Sequence, residues 1–202
     1  MSPSTVYIVD DEEAVADSIS MLLRSVGLKA RTFPDPRAFL AGCGPGEPGC
    51  LVLDVRMPKM SGLELQQELS RLHYTLPIIF ITGHGDVPMA VEAMRAGAMD
   101  FLQKPFNDDE LIRRVQRALE LDARERALLQ RRDELRARWN DLTTREQEVA
   151  RLVADGQANK AIAIDLGISE RTVELHRAHI LQKMGARNLA QLVQMLLRLE
   201  PA

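Results

Sequence analysis

The chain has 202 residues, 46% hydrophobic and 27% charged, with a formal net charge of −3; this excludes a disordered chain and suits two soluble domains with real cores. No apolar run reaches the ~18 residues of a membrane span and no charged-then-apolar leader is present, so a cytoplasmic protein with no membrane partner is expected. Charge is uneven: residues 1–120 hold 12 Lys+Arg against 17 Asp+Glu, residues 121–137 hold 5 against 4, and residues 138–202 hold 9 against 8.

Residues 6–105 alternate apolar runs with amphipathic ones. Strands are expected near 6–10, 28–33, 50–55, 77–82 and 100–104, and helices near 12–25, 36–42, 61–72, 86–97 and from 108 onward. Such alternation predicts an α/β domain, a doubly wound five-stranded parallel sheet with helices on both faces. Leu28-Lys29-Ala30-Arg31-Thr32-Phe33 alternates charge with apolar residues, as an edge strand does, while strands one, three and four are almost wholly apolar and belong at the centre. The order 2-1-3-4-5, flavodoxin-like, is consistent with this. Cys43 and Cys50 flank a turn-rich loop; in a reducing compartment they are expected as free thiols, with a redox pair the less favoured alternative.

Cys50-Leu51-Val52-Leu53-Asp54 is a short apolar run ending in one carboxylate, and Pro58 follows in the loop. In open parallel sheets, chemistry sits just outside the carboxyl ends of the strands. A lone aspartate there is more often a turn former or helix cap. Asp54 is not alone, because the other runs close on Asp10-Asp11, on Thr82-Gly83 and on Lys104-Pro105. Acid pair, acid, hydroxyl and amine would converge on one sheet edge, which is what a phosphate-accepting aspartate needs.

From Leu111 to about Leu142 the sequence is charged and helical, without proline or glycine. Leu111, Val115, Ala118 and Leu121, then Leu128, Leu135 and Trp139, are expected on one broad stripe. The domain reading is 1–120, a helical linker over 121–137, and 138–202. The linker is open between a solvated helix and a dimerising coiled coil.

Thr143 with Glu146 three residues on forms a capping-box pattern that starts a helix, which ends at Asp155-Gly156. A short helix from Lys160 to Leu166 stops at Gly167, and Ser169 caps a third helix, Glu170 to Met184, stopped by Gly185. Two helices joined by a glycine-containing turn fit a helix-turn-helix. At about 100° per residue, Val173, Ile180 and Met184 share the core side of the third helix. Arg171, Glu174, Leu175, Ala178 and Gln182 lie opposite, where short side chains let a backbone approach a major groove. Thr172, His176, His179 and Lys183 flank that face, with partial burial the alternative for the histidines. A domain with one net positive charge should bind nucleic acid weakly as a single copy.

The set Asp10-Asp11, Asp54, Met57-Pro58, Ser61-Gly62, Thr82, Gly97-Ala98-Met99-Asp100-Phe101 and Lys104-Pro105 resembles the receiver domain of two-component response regulators. Residues 142–146, Asn159-Lys160, 166–169, Arg171-Thr172-Val173-Glu174-Leu175-His176-Arg177 and Lys183-Met184-Gly185 resemble the LuxR-type helix-turn-helix, with Ala161 departing from a frequent glutamate. Through residues 81–91 in particular, the chain resembles the FixJ-type regulators.

That resemblance implies phosphorylation of Asp54 by a sensor histidine kinase with Mg²⁺, held by Asp11, Asp54, the backbone carbonyl of Arg56, and Asp10 through water, an oxygen set that Mg²⁺ prefers. It implies that Lys104 pairs with the phosphoryl group, that Thr82 and Phe101 form the switch, and that a homodimer forms on phosphorylation. It further implies double-stranded DNA as a partner through Lys160, Arg171, Thr172, Glu174, Leu175, His176, Arg177, Ala178 and Lys183, with RNA polymerase beyond it. The rivals are a phosphorylation-controlled protein-binding module and, further off, an aspartyl-nucleophile phosphohydrolase. The latter would place two acids one residue apart, whereas Asp54-Val55-Arg56 lacks the second.

Overall fold

The apolar runs become strands in the computed structural model, which describes residues 4–83 and 87–199. In chain order the elements are β1 (Thr5–Val9), α1 (Glu13–Ser25), β2 (Lys29–Phe33), α2 (Pro36–Gly42), β3 (Gly49–Asp54), α3 (Gly62–Arg71), β4 (Ile78–Thr82), α4 (Val87–Arg95), β5 (Asp100–Gln103) and α5 (Asp108–Asn140). Four helices follow: α6 (Thr144–Ala154), α7 (Asn159–Leu166), α8 (Glu170–Met184) and α9 (Leu189–Leu197). The chain divides into two units, Met1–Arg126 and Ala127–Ala202, and the division falls within α5.

In the first unit every strand pair is parallel and the order is β2-β1-β3-β4-β5. All of β3 is buried, as a strand covered on both faces requires, while β2 exposes Lys29, Arg31 and Thr32 at the edge. The period of two sends Leu51, Leu53 and Phe80 to one core with Phe39 of α2 and Leu65 of α3. Ile8, Val52 and Ile79 go to the other, with Leu23 of α1 and Leu111 and Val115 of α5. Removing one such side chain, as in Leu53→Ala, should cost about 2–5 kcal/mol. Cys43 belongs to the first core and Cys50 to the second, so the two free thiols lie on opposite faces of the sheet and the redox pair is overturned.

The stripe on α5 departs from the sequence expectation. Leu111, Val115 and Ala118 are fully buried, but the next position inward is Asp122, 1% exposed, whereas Leu121 is 38% and Leu128 56% exposed. Spacing explains it: Asp122 is four residues after Ala118, while Leu121 stands about 100° away around the helix. Asp122 accepts the Gly49 N–H at 2.9 Å and the Arg126 Nε–H at 2.7 Å, and Arg126 donates through Nη1 to the Gly46 carbonyl at 2.6 Å and through Nη2 to the Glu47 carbonyl. Residues 122 and 126, which open the expected linker, are therefore fastened to the loop before β3.

In the second unit Val149, Val153, Ile162, Val173, Ile180, Met184 and Leu192 form one core. Thr143 caps α6 with Glu146 completing the box, and Ser169 caps α8 through the Thr172 N–H. Leu135, 8% exposed, packs into this core from the end of α5.

Candidate phosphoacceptor site and nucleic-acid interface

The parallel register sets Val9 against Leu53, so Asp10 and Asp54 leave neighbouring strands side by side. Both are buried, at 1% and 6% exposure. Lys104, directly after β5, places Nζ 2.8 Å from Asp10 Oδ2 and 2.9 Å from Asp54 Oδ1. The remaining oxygens are also held: Asp10 Oδ1 accepts the Glu12 N–H at 2.9 Å, and Asp54 Oδ2 accepts the Arg56 N–H at 2.7 Å. Thr82, the last residue of β4, is 1% exposed, and its carbonyl accepts the Lys104 N–H at 2.7 Å.

Burial pushes the Asp54 carboxyl above its ordinary range; Lys104 opposes this, and the neighbouring Asp10 charge adds to it. Burial acts to lower the Lys104 ammonium, but its two carboxylates outweigh that and hold it above the ordinary value. The site is thus a carboxylate pair clamped by one cation.

Gly62 opens α3 against this edge: its N–H donates to the Val55 carbonyl at 2.9 Å, and a Cβ there would lie 2.3 Å from the Asp54 carbonyl oxygen. Ser61 caps the helix, with Glu64 completing the box. Asp11 is exposed and lines an open cleft with Val55, Arg56, Met57 and Met89. The donors here, from Asp10, Asp11, Asp54 and the Arg56 backbone, are all oxygens and suit a hard cation. Among the described residues no group of three or more His, Cys, Asp or Glu side chains is arranged to hold a metal ion.

Phe101 on β5 is half-buried, with its ring 6.4 Å from that of Phe80. Residues 84–86, which belong to the FixJ-like stretch 81–91 and to the loop after Thr82, lie outside the described residues.

On α8 the structure sorts the expected DNA-facing residues into two groups. Arg171, Glu174, Leu175, Ala178, His179 and Gln182 are exposed, with Arg171 Nη1 3.8 Å from Glu174 Oε2, and Lys160 is exposed on α7. His176 and Thr172 are half-buried, and the Thr172 hydroxyl lies 2.8 Å from that of Ser169. Two cations are engaged inside the unit: Arg177 donates to Asn159 Oδ1 at 2.6 Å, and Lys183 Nζ lies 2.7 Å from Glu146 Oε2. Burial alone would raise the Glu146 carboxyl, but Lys183 and Thr143 outweigh it and bring it below its ordinary value. Arg177 and Lys183, both expected at DNA, thus also have partners within the unit, and Lys183 keeps part of its side chain open to solvent. The core stripe of Val173, Ile180 and Met184 is legible in the sequence, but the glutamate that Lys183 meets lies on another helix, and nothing local announces it.

Residues 6–116 match the family described as the response regulator receiver domain, and residues 140–196 match the bacterial regulatory proteins of the luxR family. The chain belongs to the response regulators. Relatives agree over nearly its whole length. It is 45% identical to the response regulator protein TmoT of Ectopseudomonas mendocina, covering 98% of this chain and 90% of that one. It is 47% identical to the transcriptional regulatory protein FixJ of Rhizobium meliloti, covering 98% and 97%. A low-resolution structure of the response regulator StyR superposes with a TM-score of 0.92 at 45% identity, covering 98% of this chain and all of that one. This response regulator thus joins a flavodoxin-like receiver, the expected 2-1-3-4-5 sheet, to a LuxR-type DNA-binding domain. Its receiver domain implies a sensor kinase and its output domain implies DNA. Among the described residues no helix is long and apolar enough to cross a membrane.

Proposed function

We propose that Asp54 accepts a phosphoryl group from a sensor histidine kinase, and that the phosphorylated protein dimerises and binds duplex DNA in the cytoplasm. The observation that carries this is the single lysine amine bridging two buried strand-end carboxylates at 2.8 and 2.9 Å. A carboxylate is a weak nucleophile, so the site must hold it in line and neutralise charge on the phosphoryl oxygens. The Arg56 N–H and Lys104 Nζ fix the Asp54 carboxylate; one of its oxygens forms the bond to phosphorus as the N–P bond of the donor histidine breaks. Lys104 then pairs with a phosphoryl oxygen. Asp11, Asp54 and the Arg56 carbonyl, with Asp10 through water, would hold Mg²⁺, which when bound neutralises charge on the transferring group. The acceptor is the chain's own aspartate, so no separate substrate is turned over.

The acyl phosphate adds roughly −1.5 to −2 charge by analogy with other phosphorylated side chains, and it adds acceptor oxygens. The Thr82 hydroxyl donates to one of them, and Phe101 turns to open a dimer face formed by α4, β5 and α5. A shift from ~1:99 to ~99:1 needs about 5.5 kcal/mol of differential stabilisation, within reach of charge-assisted hydrogen bonds plus a new interface. Two output domains on paired half-sites then raise affinity through effective concentration, and the DNA-bound dimer contacts RNA polymerase.

The test is labelling by acetyl phosphate with Mg²⁺, followed by a salt-dependent duplex shift. Wild type should label and Asp54→Asn should not; equal labelling removes the acceptor assignment. Thr82→Ala should label but dimerise less. Labelled protein that retards no duplex at any salt would favour a protein-binding output instead.

A further inference from the structure

The two family matches end at 116 and begin at 140, leaving the last turns of α5 outside both. Within the second unit that segment is not a free tether. Leu135 is 8% exposed in the core, the Trp139 ring lies 5.5 Å below the Arg151 guanidinium, and the Trp139 carbonyl accepts from Gln147 Nε2 at 3.0 Å. Arg138 reaches furthest, donating from Nη1 to the Met184 carbonyl at 3.1 Å, at the last residue of α8. Gly185, in the left-handed conformation at φ 68°, leaves the room: a Cβ there would stand 2.8 Å from Arg138 Nη1. The neighbouring Leu181 and Gln182 carbonyls are satisfied by the Ala186 and Gly185 N–H groups. Arg138 thus caps a helix-end carbonyl and sets a cation at the negative end of the helix dipole.

We propose that Leu135–Trp139 is an integral part of the DNA-binding unit, and that Arg138 is a positioning residue that seats α8 for DNA without touching DNA itself. This rests on reading α8 as the element that enters the groove. Packing of Ile180 and Met184 into the core and the Lys183–Glu146 pair already hold the far half of α8, but they leave the Met184 carbonyl to be satisfied at the helix end. Base edges are read through side-chain placement along the helix, so the seating of that end matters. Arg138 fixes that far end from α5. Its action passes through the Met184 carbonyl, so it should change how well α8 fits the groove and not the number of phosphates neutralised.

Full-length Arg138→Met, which keeps the aliphatic stem, should lose about three- to tenfold in affinity for the wild-type site, the size expected of a helix-end cation and its hydrogen bond. The loss should be the same at every salt concentration, with an unchanged salt slope, because no phosphate is left without its cation. Arg138→Lys, which retains a donor for Met184, should recover most of it. Hydrogen exchange supplies a readout independent of DNA: amides of 181–186 should exchange faster in Arg138→Met while those of α6 do not. A slope that falls by about one would make Arg138 a phosphate contact and overturn the proposal. Unchanged affinity together with unchanged exchange would overturn it too. If Arg138→Met loses its helical signal, Arg138→Lys decides: it should hold both affinity and exchange near wild type, and a deficit equal to that of Arg138→Met removes the role assigned to the donor. Failure of the wild type to bind any duplex would remove the DNA reading of α8, while the exchange result still decides whether Arg138 seats the helix.

Discussion

Asp122 of α5 accepts the backbone N–H of Gly49 at 2.9 Å, joining the helix to the first residue of the strand that ends in Asp54. The carboxylate is 1% exposed, and Arg126 both neutralises it and clamps the Gly46 and Glu47 carbonyls. Arg126→Ala would leave a buried charge with one backbone donor, an arrangement that costs about 3–5 kcal/mol when a buried pair is broken. Asp122→Asn keeps an acceptor for Gly49 and removes the charge, so its loss should be nearer 1 kcal/mol. Urea unfolding of the first unit measures both, and equal losses would show that the charge is not what the clasp must neutralise.

This clasp also marks where the sequence stops being legible. Strands one, three and four could be placed because strands covered on both faces read as near-continuous apolar runs, and Asp10, Asp54, Thr82 and Lys104 close the runs of β1, β3, β4 and β5. On a 33-residue helix the choice is wider. Asp122 and Arg126 have the i,i+4 spacing of an ordinary surface pair, and nothing near them says that the loop of residues 43–48 and the start of β3, far away in sequence, will close over that face. Leu121 and Leu128 look like core and are exposed. The partner of Lys183 in the second unit is hidden for the same reason, because Glu146 reads locally as half of a capping box.

Gly62 carries a prediction about the phosphoacceptor edge. A Cβ would come 2.3 Å from the Asp54 carbonyl oxygen and 3.0 Å from the Phe80 ring, so Gly62→Ala must push α3 away or displace the end of β3. Neither neighbour is a flexible tip. Labelling by acetyl phosphate should slow by about tenfold or more, since a displacement of ~1 Å can cost ~100-fold when groups must be aligned. A variant that folds and labels at the wild-type rate would show that the close approach is only a packing detail.

The Asp54 carboxyl predicts a pH dependence of stability. Its folded pKa is raised, by burial first, so between its unfolded and folded values the native state holds more protons than the unfolded one. Stability from this group is then greatest at low pH, falls as pH rises from about 4 toward the folded pKa, and is level above it. Asp54→Asn mimics the neutral form and lacks that slope. The variant should match wild type near pH 3.5 and melt higher at neutral pH, as followed by thermal unfolding of the first unit at several pH values. A variant less stable than wild type at neutral pH would mean that attraction to Lys104 outweighs the burial of the charge.

Salt dependence distinguishes a cation that neutralises a DNA phosphate from one engaged only within the fold. Lys160 is exposed on α7, whereas the Lys183 ammonium lies 2.7 Å from the buried Glu146 carboxylate. Removing one cation that neutralises a phosphate lowers the salt slope by about 0.9. Lys160→Ala should therefore weaken binding to all duplexes alike and flatten the slope by that amount. Lys183→Ala should leave the slope unchanged and act through stability, by about 1–2 kcal/mol after allowing for the part of its side chain open to solvent. Glu174, exposed beside Arg171, can accept from a cytosine amino group, and Leu175 can touch a thymine methyl. If Glu174 reads a base, Glu174→Ala should change preference at one position by about 1–3 kcal/mol. If it only repels phosphates, the same change should raise affinity for every sequence equally. Site selection with wild type and Glu174→Ala distinguishes the two: an unchanged motif with uniformly tighter binding removes the base contact and leaves the rest of the α8 face to carry specificity.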